Sequence, residues 1–147
     1  MRNLFLFLHL AAAIFWMGGM AFMILALRPA LGTLEPPQRL PVLGGVLRRF
    51  FIVVDISVLV LLVTGVRLLL QVPAAGAPVG WHAMAALGIA MMLVFLFIRL
   101  VPWRRMRAAL GQAQWPVAGQ AAQQIALLAK VNLGLGWLAI AAVIFWR

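Results

Sequence analysis

The chain has 147 residues, of which 67% are hydrophobic, with a mean hydropathy of +1.13 and a net charge of +10 from twelve basic and two acidic side chains. That composition excludes a water-soluble globular domain. Cysteine is absent, which excludes disulfides, thiolate metal sites, Cys-held iron–sulfur clusters and c-type haem attachment.

Four apolar spans are predicted at about 4–27, 50–70, 81–101 and 124–146. At about 1.5 Å per residue each is long enough to cross a hydrocarbon core of about 30 Å. The links between them are too short for another folded unit. Residues 1–147 therefore read as a single membrane domain, an all-α integral membrane protein built as a four-transmembrane-helix antiparallel up-down bundle. Nine basic residues flank loops one and three (Arg28, Arg39, Arg48, Arg49, Arg99, Arg104, Arg105, Arg107 and Lys130), against Arg2, Arg67 and Arg147 on the other side. This bias places loops one and three in the cytoplasm and both termini outside. Nucleic acid is not an expected partner, because no soluble region presents a groove; the partner implied directly is the lipid bilayer, and the basic surplus suits contact with anionic lipid.

The first span is uncharged but is interrupted by His9. It is longer than a signal-peptide core, and Ala26-Leu27-Arg28-Pro29 is a poor cleavage site, so a retained helix is expected. His9, Trp16, Met20, Met23 and Leu27 fall on one helical face, with Met17 at its edge. Pro29 is expected to end this helix. Loop one, 28–47, reads as turn-rich, with an amphipathic piece at 38–50 lying on the membrane surface. The second span carries Asp55, Thr64, Gly65 and Arg67, followed by a short uncharged outer loop. The third opens with Trp81-His82 and closes with Arg99, Pro102 and Trp103, the tryptophans suiting the two interfaces. Loop three reads as helical extensions joined by a turn near Trp115, and the fourth span carries Lys130, Asn132, Gly134, Gly136 and Trp137.

Ionisable groups inside spans need a partner or a task. Asp55 and Lys130 lie at equal depth, about 8–9 Å from the cytoplasmic ends of their helices. They form a candidate intramembrane ion pair, serving as a clamp or lining a proton or ion path. His9 and His82 both lie near the outer face, where they could ligate one metal ion or the two axial positions of a haem. Arg67, at the same level, could meet a haem propionate, a quinone oxygen or a lipid phosphate. Met17, Met20 and Met23, spaced by three, form either a ladder of soft ligands for Cu(I) or packing filler. Gly18 and Gly19, with Gly134 and Gly136, read as points of close helix approach. Two acids, no cysteine and one intramembrane serine, Ser57, leave too little for a hydrolytic enzyme site.

The order His9, Trp16, Gly18-Gly19, Arg28-Pro29-Ala30-Leu31, Arg48-Arg49-Phe50 and Thr64-Gly65 resembles the CopD-type copper-resistance membrane proteins. Pro102-Trp103-Arg104-Arg105, Trp115-Pro116 and Asn132-Leu133-Gly134-Leu135-Gly136 are similar to the small stand-alone members of that group. The resemblance implies a bacterial inner-membrane protein of copper import or homeostasis, with a periplasmic copper-binding protein as a partner. The first helix is also similar to that of the bacterial membrane protoporphyrinogen oxidases, where a histidine at this place is associated with haem. Three expectations stand side by side. In the first, His9 and His82 receive copper and Met17, Met20 and Met23 carry it inward. In the second, the chain is a b-type cytochrome with haem b on the two histidines. In the third, it is a cofactor-free accessory subunit, paired with another protein or with a second copy of itself.

Overall fold

The computed structural model describes residues 1–72, 76 and 78–146; Pro73, Ala74, Ala75 and Ala77, in the stretch expected to form an outer loop, and Arg147, expected among the outer charges, lie outside these. Helix α1 (Arg2–Phe22) runs without interruption into a π-helical turn (Met23–Leu27) and a last helical turn, α2 (Arg28–Leu31). The expected stop before Pro29 does not occur, since Arg28 keeps helical angles of φ −65° and ψ −44°. The wide turn, in which the Arg28 N–H reaches back to the Met23 carbonyl, moves the preceding carbonyls away from the proline ring that would otherwise clash with them.

Helix α3 (Pro36–Leu70) absorbs most of what reads in sequence as loop one. Pro36 and Pro37 sit in its first turn, where no backbone N–H is needed, and Pro41 inside the helix removes one bond. Leu40, Leu43, Gly44 and Leu47 are buried. The stretch expected to lie on the membrane surface is therefore part of the bundle.

Helix α4 (Val79–Leu100) ends where Val101 leaves helical geometry ahead of Pro102, and the short α5 (Pro102–Gly111) follows. Ala113, at φ 52°, turns the chain into α6 (Trp115–Phe145). Four of the described segments are long and apolar enough to cross a membrane, and no strand occurs among the described residues. The chain is thus an all-helical bundle of the expected class. α1 packs on α3 and α4 on α6, while α5 folds back against α6. The end holding both chain termini is called here the terminal end, and the opposite end, crowded with arginines, the basic end.

Leu, Ile and Phe side chains cover the outside, with Phe7, Leu25, Leu59 and Phe145 well exposed, as lipid contact requires. Inside, a column of aromatic rings links four helices edge to face. Trp16 meets Phe95 at 5.9 Å, Phe95 meets Phe51 at 5.7 Å, and Phe51 meets Trp103 at 5.1 Å between centroids. Each such pair adds about 0.5–1.5 kcal/mol beyond its buried area. Trp103, expected at the interface, is buried because the break at Val101 turns α5 beneath Phe51.

The α4–α6 crossing is closed at the terminal end by backbone. The Gly80 N–H donates to the Trp146 carbonyl at 2.9 Å, and a Cβ on Gly80 would run into the carbonyl oxygen of Ala142. Of the four glycines read as approach points, Gly19 lies against the Phe50 ring and Gly136 against Met17, whereas Gly18 and Gly134 have open space beside them. Gly80→Val is expected to destabilise the bundle by about 2–4 kcal/mol, because rigid backbone cannot move aside. Gly18→Ala, which meets open space, is expected to leave the thermal unfolding midpoint in detergent unchanged or slightly raised, alanine being the better helix former, so the pair of melts checks the assignment.

Candidate functional site

The face of α1 singled out in the sequence looks into the bundle. Trp16 and Met20 are each 3% exposed, and Met17, Met23 and Leu27 pack against the core they belong to. His9 lies at the terminal end of that face, half-buried against α3. Its ring sits beside Gly65, where a Cβ would stand 3.4 Å from His9 Cε1, so the absence of a side chain there lets the imidazole lie close to the helix.

The His9 Nδ1 is 2.8 Å from the Thr64 hydroxyl oxygen. That hydroxyl donates its single proton to the Val60 carbonyl at 2.6 Å. Thr64 therefore accepts from His9, which assigns the proton of a neutral ring to Nδ1 and leaves the Nε2 lone pair without a partner among the described residues. A histidine held at Nδ1 with Nε2 available has the arrangement of a metal ligand supported by a neighbouring hydrogen bond.

His82 is exposed on the opening turn of α4, and Arg67 is exposed one turn beyond Thr64 on α3. Among the described residues, no three His, Cys, Asp or Glu side chains gather into a metal-holding group.

The methionines follow α1 toward the basic end. The Met17 thioether and the Met91 methyl of α4 converge on the spot left by Gly136, at 2.9 and 3.2 Å from the position its Cβ would take. One helical turn from Gly136 toward the basic end lies Asn132, 1% exposed, whose side-chain carbonyl has no hydrogen-bond partner among the described residues. Asn132 lines a cavity of about 30 Å³ together with Trp16, Met20, Met23, Phe51 and Arg28, room for one water molecule or one bare ion. An amide oxygen unpaired in the middle of a membrane bundle is costly. Sequence reasoning passed over Asn132 because the glycines beside it read as packing; an amide inside an apolar span was the available signal.

The ion pair differs from the one expected. Arg99 of α4 donates from Nη2 to Asp55 Oδ2 at 2.7 Å, and its guanidinium lies 5.6 Å from the Phe51 ring centre. Lys130 does not meet Asp55; it is exposed on the face of α6 that looks toward Arg28. Equal depth along two helices gives level but not direction, and α4 supplies the cation instead. Asp55→Asn is expected to lower stability by an amount between the roughly 1 kcal/mol of an exposed pair and the roughly 3–5 kcal/mol of a buried one. The double variant Asp55→Asn/Arg99→Met should recover much of that loss in the same thermal assay, because no charge is left unpaired.

Comparison with known proteins bears on what this arrangement serves. No match was found among curated proteins or among solved structures. A family model described as copper resistance protein D (CopD) matches residues 44–146, most of the chain, from within α3 to the end of α6. The match begins beyond α1, so His9 and the methionine face lie outside it. Its extent shows that the chain belongs to the copper resistance protein D family.

Proposed function

We propose that this protein handles copper as cargo in a bacterial inner membrane, receiving it at the terminal end and passing it toward the basic end. The observation that carries this reading is the His9 ring, fixed by Thr64 with Nε2 open, in a chain of a copper-resistance family. The excess of arginine at the other end supports a periplasmic terminal end by the positive-inside rule. His82, exposed on α4, would on this reading meet an incoming ion or a periplasmic copper-binding partner.

From His9 the route follows α1. Met17 is about 12 Å along the helix from His9, and Met20 and Met23 follow at steps of about 4.5 Å. The first step is too long for a shared coordination shell, so the ion leaves imidazole before thioether takes it. Thioethers suit Cu(I), and the cavity at Met20, Met23 and Asn132 has room for one such ion.

The test is copper accumulation in cells with and without the protein. His9→Ala is expected to abolish the difference. Thr64→Val, which removes the group orienting His9, is expected to weaken Ag(I) or Cu(I) binding by the purified protein about tenfold. Equal accumulation in both strains would sink the proposal. A Soret band in purified protein, lost in His9→Ala, would put haem b on His9 in place of copper. Activity surviving replacement of both histidines would favour the accessory-subunit reading.

A further inference from the structure

An open groove of about 410 Å³ lies between the basic end of α1–α2 and α6. Arg28, Gln123 and Lys130 supply its polar wall, and Ile24, Pro29 and Leu127 its apolar floor. Arg28 is held there by the π turn that precedes it and by donation from Nη1 to the Ala122 carbonyl at 3.2 Å. That bond uses one of the five donors of the guanidinium.

The groove holds two cationic side chains and no acid. The chain has two acidic residues; Asp55 is taken by Arg99, and Glu35 is exposed ahead of α3 and outside the groove lining. Two positive charges lining one groove, with no acid among its lining residues, suit a counter-charge from outside the chain. Gln123 and Lys130 stand about 10 Å apart along α6, with the apolar Ala126 and Leu127 between them in the lining. A free anion satisfies the charges and wastes the floor. An anionic amphiphile satisfies both.

We propose that this groove binds the phosphate of an anionic glycerophospholipid, with Arg28 and Lys130 on the phosphate and the start of an acyl chain against Ile24 and Leu127. The site does not depend on the copper reading, and lipid binding would stand if that reading fell. Arg28, Ile24 and Ala126 line both this groove and the internal cavity of Asn132, so the lipid would rest against the outer wall of that cavity.

Native mass spectrometry of the full chain in a non-ionic detergent tests the proposal, with phosphatidylglycerol and phosphatidylcholine of matched acyl chains as probes. One phosphatidylglycerol per chain is expected to be retained at least tenfold more tightly than phosphatidylcholine. Arg28→Gln also removes the Ala122 contact and is open to misfolding, so Lys130→Gln, at an exposed position, is the deciding variant. It is expected to lower the preference about fivefold, the equivalent of the ~1 kcal/mol a basic residue contributes near an anionic lipid. Arg104→Gln, which removes the same charge from the exposed face of α5, should change it less than twofold. Equal retention of the two lipids, equal effects of the Lys130 and Arg104 variants, or displacement of the lipid by millimolar inorganic phosphate would each overturn the assignment.

Discussion

Apolar side chains gain little by leaving lipid for one another, so a membrane bundle needs close fit and polar contacts to choose its arrangement. Here the choice rests on positions where one helix enters the space of another. Backbone meets backbone where Gly80 of α4 reaches the end of α6, and Met17 of α1 fills the gap at Gly136. From the level of the second contact toward the basic end, the column from Trp16 to Trp103 joins α1, α4, α3 and α5. Arg99 caps it, bonded to Asp55 and lying over Phe51. The remaining apolar surface faces outward and discriminates little.

The same constraint concentrates chemistry. With so little polar material inside, each interior polar group is conspicuous: among the described residues Thr64, paired with His9, and Ser57 and Asn132, the last with its carbonyl unpaired. The methionines run from His9 toward Asn132 on one face of α1. The arrangement is a line of weak, separated donors and not a closed cage. On the proposed copper reading, such a line of single contacts would suit an ion that must move on, where a cage would hold it.

Much of this was legible in the sequence. Length and hydropathy gave four spans, and helical periodicity gave the inward face of α1 from His9 to Leu27. The glycine contacts were half legible, since periodicity does not say which member of a pair faces a neighbour. Loop one was misread because Pro36, Pro37 and Pro41 signal a break in general but lie here within the first two turns of α3, where two of the missing N–H groups cost nothing. The partner of Asp55 was misread because depth can be counted along a helix whereas rotation of one helix against another cannot. Asn132 was visible as a residue, but its isolation exists only once α6 is packed against α1.

The π turn at Met23–Leu27 carries a consequence for chain length. A turn of this kind holds one residue more than a regular helix needs, so one residue between His9 and Pro29 is surplus to helical register. Losing a residue within 23–27 would leave both ends of the helix facing as they do now, with His9 toward Thr64 and Arg28 toward Ala122. Losing one anywhere between His9 and Phe22 would swing the two ends apart by about 100°. Yet the shortened turn would bring a carbonyl back beneath the ring of Pro29. The surplus residue and the proline are therefore tied, and length in this helix is free to vary only where both change together.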